Sequence, residues 1–366
     1  MPLPPLRGAT ALSDPIVLGA GPAGSAAAIH LARAGASPVL IDRDAEVGDC
    51  LCGGFLSWKT SAQLRSLGCD PAALSAHAVR RLRMFAGARA AETELVAPAF
   101  GLSRHALDTT LRDMAVASGA RLEIDRARSI APGCINAERR EWRSDAIFLA
   151  TGKHDLRGIV RPRDADDAAL GLRVRLPAAS GAAERVGDAI ELHLFSGGYA
   201  GIVVQENGST NVCLALRKSL LREAGGDPWQ LLERLAERNP DFAQRLEGAD
   251  RTLPVDTIGA VPYGWIARDT APGLYRLGDQ AAVIPSLAGE GMSIALASAA
   301  DAASAWREGR SAADFQRRFA RRARAPVHVA GFVWNYAEGE RAGQWLVRLA
   351  GLFPGLARVV MSLSRI

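Results

Sequence analysis

Residues 16–24 read Ile16-Val17-Leu18-Gly19-Ala20-Gly21-Pro22-Ala23-Gly24, and an alanine-rich run then leads to Val39-Leu40-Ile41-Asp42-Arg43. The first apolar triplet reads as a strand, the glycine-rich segment as a turn into a helix, and the second apolar run as a strand ending on an acid. Gly19 permits the tight turn, Gly21 lets backbone approach a pyrophosphate, and Gly24 lets helix and strand come close, while Asp42 accepts from a ribose hydroxyl. The phosphates sit on the free N–H groups that open the helix near Pro22 and Ala23. A glycine triplet alone is a common loop. Strand, glycines, helix, strand and acid in register point to dinucleotide binding.

Size and composition bound the rest. With 366 residues, 48% hydrophobic and 23% charged, the chain is of ordinary globular composition and long enough for two or three domains. The net charge of +5 comes almost wholly from arginine, with lysine only at Lys59, Lys153 and Lys218. No basic run is interleaved with aromatics, so the excess does not describe a nucleic-acid surface. Cys50, Cys52, Cys69, Cys134 and Cys213 form neither a disulfide framework nor a zinc pattern. None of the six histidines stands in a metal-ligand spacing, and no metal is expected. Residues 1–14 read as a flexible leader without the apolar core of a signal peptide. No stretch reaches the roughly 18 apolar residues of a membrane span, and a cytoplasmic protein is expected.

Along the chain, the strand–helix–strand of residues 15–41 is followed by a polar connection, a helix from about 58 to 67, and alternating strands near 79–85 and 91–96. Ser103 is a natural N-cap for a helix to about Ser118. Ala146–Ala150 is a fully apolar strand. Residues 166–262 alternate in the manner of an antiparallel sheet, with strands at 170–176, 189–195, 200–205 and 210–216 and short helices near 227–238 and 240–247. The parallel-sheet pattern returns at 273–279, a long helix follows from Gly291 to about Trp306, and the last 50 residues read as helices. The expected class is α/β. A Rossmann-like unit with a parallel sheet is assembled discontinuously from residues 15–75, 100–165 and 264–310, an antiparallel substrate unit from 76–99 and 166–263, and C-terminal helices from 311–366.

Four further pieces narrow the dinucleotide to FAD. Arg104, Asp108 and Leu111 form an Arg-x-x-x-Asp-x-x-Leu pattern at a helix head, and Ala150-Thr151-Gly152 is a small turn that admits cofactor to the backbone. Gly278-Asp279 places a carboxylate for a ribityl hydroxyl. Pro285 with Gly289-Glu290-Gly291-Met292 opens a helix whose positive end faces a flavin ring carbonyl. In this order the pieces resemble the FAD domain of glutathione-reductase-like flavoproteins, and more narrowly the branch holding aromatic-hydroxylating flavin monooxygenases and geranylgeranyl reductases. The resemblance covers most of residues 15–305. It implies cofactor contacts at Arg43 and Gly53 as well, and a segment beside the flavin, Gly48-Asp49-Cys50-Leu51-Cys52-Gly53-Gly54-Phe55-Leu56-Ser57, with Cys52 in the family's cysteine position. It also implies a substrate wall at Gly197-Gly198-Tyr199-Ala200-Gly201, where Gly198 and Tyr199 match the family and Gly201 stands in place of its tryptophan.

These readings give an FAD-dependent oxidoreductase, with FAD bound non-covalently and NAD(P)H or a partner reductant supplying electrons. No second glycine fingerprint provides a nicotinamide domain, and the Trp-x-Trp-x-Ile-Pro segment of flavin halogenases is absent. Hydroxylation of an apolar aromatic or polyketide-like molecule is the leading expectation, because Gly201 departs from the geranylgeranyl-reductase wall. Reduction of a carbon–carbon double bond is the alternative, and modification of a partner protein a further one. Cys52 is the candidate catalytic thiol, with a small filler in a tight turn as the competing reading. The apolar, arginine-spaced tail 345–361 is expected to roof the pocket, with weak membrane-surface contact as the alternative. Oligomeric state is left open.

Overall fold

A computed structural model describes residues 14–162 and 167–366, so the leader expected over residues 1–14 lies, Asp14 apart, outside the described residues. The chain opens with β1 (Ile16–Leu18), α1 (Pro22–Arg33) and β2 (Val39–Asp42). It continues through β3 (Phe55–Leu56) and α2 (Trp58–Ser66) to the long hairpin β4 (His77–Ala86) and β5 (Arg89–Gly101). Then come α3 (Arg104–Ala117), β6 (Arg121–Ile124), β7 (Ala127–Ala131), β8 (Cys134–Ala137), β9 (Glu141–Arg143) and β10 (Ile147–Leu149). The middle of the chain holds β11 (Ala169–Leu176), α4 (Ala182–Val186), β12 (Ala189–Phe195), β13 (Gly198–Val204) and β14 (Thr210–Arg217). α5 (Lys218–Glu223), α6 (Pro228–Arg238), α7 (Pro240–Leu246) and β15 (Val255–Ile258) follow. Last are β16 (Leu274–Arg276), α8 (Gly291–Arg307), α9 (Ala312–Ala337), α10 (Glu340–Leu352) and α11 (Pro354–Leu363).

Strands β16-β10-β1-β2-β6 make a parallel five-stranded sheet. Its central strands are short and apolar because both faces are covered. α1, α3 and α8 bury one face, and the three-stranded sheet β7-β8-β9 buries the other through Ile130, Ile135 and Trp142. The alanines of α1 and α8 let these layers approach closely, and at Gly24 the approach is tightest. A Cβ there would lie 1.8 Å from the Gly19 carbonyl oxygen. Gly19 itself has φ +101° and a Cβ there would lie 2.5 Å from the Ala150 oxygen, so the tight turn requires glycine.

The second sheet runs β15-β11-β14-β13-β12-β4-β5-β3. It is mixed rather than antiparallel, because β12 and β4 run parallel from Ala189↔Arg81 to Leu194↔Ala86. Alternation along a strand reports which side chains face inward and is silent on the direction of a neighbour contributed by a distant segment. β3, from a stretch without a strand pattern, adds an edge strand against β5. The C-terminal helices roof this sheet: α10 crosses β4, β5 and β12, and α11 reaches β5 and α9.

Beneath β12 lies a buried charge cluster. Glu191, with no exposure, accepts two bonds from Arg245 of α7 at 2.9 Å, one from Arg83 at 3.2 Å and one from His193 at 3.1 Å. Burial pushes the Glu191 carboxyl up, but its partners outweigh this and hold it down to about 2. Burial keeps His193 below its ordinary value, with Glu191 opposing. Both groups therefore bind more protons unfolded than folded as pH falls, so stability declines below about 6.5 through His193 and then between about 4.5 and 2 through Glu191. Thermal unfolding followed against pH should show this loss, on the order of 3 kcal/mol from Glu191 alone. Glu191→Gln should unfold at lower temperature at neutral pH and lose the acid dependence below pH 4.5; an unchanged acid limb would remove this cluster as its cause.

Candidate active site

At the C-terminal ends of the parallel strands a cavity of about 950 Å³ begins beside the Gly19–Ala23 turn and runs under the mixed sheet to the roof helices. This is where an open α/β sheet places a ligand. Gly19, Gly21, Pro22, Ala23, Asp42, Arg43 and Arg104 line one end. α1 starts at Pro22 and no side chain caps it, whereas α2, α3, α6 and α9 are capped by Ser57, Ser103, Asp227 and Ser311. Its first N–H groups thus remain available to an anion. A Cβ on Gly21 would meet only Arg104 and Asp108 side-chain atoms, at 3.4 and 4.0 Å, so the turn is open on its outer side.

Arg104 and Asp108 form a two-pronged fork, with Nε to Oδ1 at 2.8 Å and Nη2 to Oδ2 at 2.6 Å. Burial alone would lower the Arg104 pKa; Asp108 outweighs it and keeps the guanidinium charged well above its ordinary range. Its remaining N–H groups and its place over Gly21 suit a pyrophosphate. Asp42 has a second task beyond the one its position suggests. Its oxygens accept from the N–H of Ala20 at 2.6 Å and of Asp44 at 3.0 Å, fixing the turn, and lone pairs remain for a ribose hydroxyl. Arg112, one turn beyond Asp108, holds the same loop through the carbonyls of Asp44 and Ala45 and lies 3.4 Å from Asp42. Sequence reading passed over it because its partners are backbone atoms far away in the chain. Arg43, half exposed, pairs with Asp44 at the rim.

At the other end Thr151, Gly152, Gly278, Asp279, Gly289, Gly291 and Met292 line the cavity. Thr151 caps its own turn by donating to the His154 carbonyl at 2.8 Å, and Gln280 donates to the carbonyls of Gly152 and His154. α8 begins at Gly291 with no side-chain cap, so its N–H groups and positive dipole end face the cavity. Cβ positions at Gly53, Gly152 and Gly291 would meet nothing within 4 Å. Gly24 and Pro285 do not line the cavity: Gly24 serves close approach, and Pro285 turns the chain ahead of α8.

The loop with Cys52 and Gly53 closes the join between the two sheets. Asn211 of β14 donates to the carbonyls of Cys52 at 3.1 Å and Gly53 at 2.9 Å. Arg173 of β11 bonds the carbonyls of Asp49 and Cys50 and pairs with Asp49 and Asp256. Cys52 is half-buried and lines the cavity, as does the more exposed Cys50. Beyond it the walls are apolar, with Met84, Leu192, Ala215 and Val261, and carry a group of weak acids. Tyr199 is buried edge-on to Trp334, and Tyr263 shares a 2.5 Å hydrogen bond with Ser286. Burial pushes Tyr199 and Tyr263 well up and Cys213 up to about 12. Gly198 does not line this wall; a Cβ there would strike the Ala215 oxygen at 2.4 Å, so it is needed for close strand contact. Gly201 does line it, and a Cβ there would sit in ordinary contact with the Tyr199 ring at 3.5 Å, the Cys213 carbonyl oxygen at 3.7 Å and Leu192 at 3.9 Å. Tyr263 and Ser286 carried no motif that sequence reading could have caught.

An open glycine turn, an uncapped helix start at each end and a charged arginine fork fit an elongated dinucleotide with an isoalloxazine at the α8 end. Comparison with known proteins agrees. Residues 13–131 match the FAD binding domain family. The chain is 28% identical over 308 residues, 77% of its length and 74% of the relative's, to digeranylgeranylglycerophospholipid reductase 2 of Methanopyrus kandleri. The protein is an FAD-dependent oxidoreductase. This flavoenzyme is also 36% identical to menaquinone reductase of Mycobacterium tuberculosis over 115 residues, 30% of this chain and 28% of that one. Its fold matches that of flavin-dependent brominase Bmp2 with a TM-score of 0.75 at 16% identity, covering 96% of this chain and 92% of that one.

If the fork carries the cofactor's phosphates, Arg104→Ala should weaken FAD binding about 10- to 100-fold, the equivalent of losing charge-assisted hydrogen bonds. Quenching of FAD fluorescence during titration of apoprotein measures it. The single variant leaves Asp108 buried without its partner, so Arg104→Ala/Asp108→Ala is the control. It should regain thermal stability but not affinity.

Proposed function

We propose that this flavoenzyme reduces a carbon–carbon double bond in an apolar, chain-bearing small molecule of the isoprenoid or quinone type. The observation that carries the reading is the wall beyond Cys52: apolar on most sides, covered by the roof helices, and set with the buried Tyr199, the half-buried Tyr263 and the Cys213 thiol, all of which keep their protons at neutral pH. FAD, when bound, would supply the hydride, with transiently visiting NAD(P)H or a partner reductant as its source. Hydride addition to one carbon requires a proton on its neighbour, and Tyr263, on the cavity wall and bonded to Ser286, is the candidate donor, its proton replaced from solvent through the exposed Ser286 hydroxyl. Cys52, held by Asn211 through its own carbonyl, is the alternative donor. Apolar side chains align the chain and exclude water. Similarity to two proteins named as reductases supports this choice over the fold alone, which monooxygenases and halogenases share.

Hydroxylation of an aromatic ring is the second reading, and Gly201 favours it. With no side chain of its own, Gly201 leaves the edge of the Tyr199 ring uncovered on the cavity wall, a surface that suits a planar substrate. An enclosed cavity favours a small molecule over a partner polypeptide. The five cysteines are all free thiols, which supports a reducing compartment such as the cytoplasm.

Anaerobic mixing with NADPH separates the two chemistries. A reductase is bleached by NADPH without substrate and regains its yellow colour when a polyprenyl or quinone substrate is added in the absence of oxygen. A hydroxylase is reduced rapidly only with its phenol present, and recovers colour only with oxygen. In the same assay Tyr263→Phe should slow substrate-driven reoxidation at least about tenfold while leaving the rate of bleaching unchanged. Cys52→Ala producing that pattern instead would move the proton to the thiol.

A further inference from the structure

We infer that α10 and α11 dock the protein on an anionic lipid bilayer, with the mouth of the cavity turned toward the lipid. The two helices meet at Phe353 with a 111° bend. Their inner side, through Leu346, Ala350, Ala357, Val360 and Met361, walls the cavity. Their outer side is apolar too: Trp345 is 53%, Leu352 62%, Phe353 57% and Leu363 58% exposed. Leu349 and Leu356 belong to both sides, since they line the cavity and are 39% and 51% exposed. The cavity therefore reaches the surface in the middle of this apolar face.

Such a face needs a covering, and its charge selects one. Between residues 341 and 366 the sequence has four arginines, Arg341, Arg348, Arg358 and Arg365, and no acid. Arg365 is committed to a buried pair with Glu290. The other three are exposed, and Arg348 lies over the Trp345 ring at 5.0 Å. Exposed apolar side chains fringed by arginine, with an aromatic at the margin, are the composition of a helix lying in the headgroup region of a negatively charged membrane. A second copy of the chain fits less well, because a symmetric contact would set the three exposed arginines against their like, with Glu340 at the start of α10 as the one acidic side chain in the two helices. Together the two helices have the length and composition of a broken span, but the 111° bend parts them and their inner side already faces the cavity, which fits lying on a bilayer better than crossing it. Among the described residues no single helix is long and apolar enough to cross a membrane.

Docking itself does not depend on which reaction the flavin performs; only its use as a route for substrate rests on the function proposed above. The experiment is flotation of the FAD-loaded full-length protein with vesicles of phosphatidylcholine alone or mixed with phosphatidylglycerol, without substrate or reductant. The protein should float with the mixed vesicles and much less with phosphatidylcholine alone. Trp345→Ser/Leu352→Ser/Phe353→Ser should cut bound protein about tenfold, and Arg348→Glu/Arg358→Glu should abolish the preference for phosphatidylglycerol. Flavin absorbance and unfolding temperature should stay unchanged in both, because the altered side chains point away from the core. Flotation no better than in a vesicle-free gradient, or equal flotation of the variants, overturns the inference. So does a wild-type solution mass of two chains that falls to one in the serine variant, which would make the face a dimer contact. Failure here leaves the anaerobic reduction result standing, and failure there leaves docking standing.

Discussion

A buried guanidinium joins the two halves of this molecule. Arg173 rises from the mixed sheet into the loop that leads from β2 to β3, where it meets the carboxylates of Asp49 and Asp256 and the carbonyls of Asp49 and Cys50. Taking that charge out of water is costly unless nearly every donor is satisfied, and here both the loop and the sheet satisfy it. Arg175 adds a second ion pair to Asp49 at 2.6 Å, and Asn211 fixes Cys52 and Gly53 by their carbonyls. A glycine-bearing loop that would otherwise carry a large entropy becomes a rigid floor between the phosphate end and the apolar end. Without it the parallel sheet would bind a nucleotide and the mixed sheet would enclose a pocket, but the two would not form one continuous cavity.

The same contacts mark where sequence reading stops. Turn, helix and acid between residues 16 and 42 were legible because each depends on neighbours within one strand–helix–strand unit, and Arg104 with Asp108 because they are one helical turn apart. Ser103 was legible as a cap for the same reason. Asn211 acts on Cys52 across 159 residues and Arg173 on Asp49 across 124, so no local spacing betrays either. The parallel pairing of β4 with β12 is hidden likewise, since alternation is identical whichever way the neighbour runs. Gly198 shows the opposite failure. Resemblance marked it as part of the substrate wall, whereas it does not line the cavity and is glycine because the Ala215 carbonyl lies close behind it.

The roof and the ring end of the cofactor site are controlled by one ion pair. Glu290, fully buried, sits just before the first turn of α8, where a carboxylate is welcome to the helix dipole but would repel electron density gathering beside it. Arg365, just past α11, pairs with it, bonds the Ala288 carbonyl at 2.9 Å and lies over the Trp58 ring at 4.3 Å. Burial lowers the Arg365 pKa to about 10, which still leaves it charged at neutral pH. Glu290 is thereby neutralised, and the uncapped N–H groups of α8 present their positive end to the cavity without opposition. Separating Arg365 from Glu290 would leave a buried charge without its partner, which is strongly destabilising. The terminal helices are therefore tied to the start of α8 at this pair, while Leu349 and Leu356, which line the cavity and are partly exposed, mark where it opens to the surface.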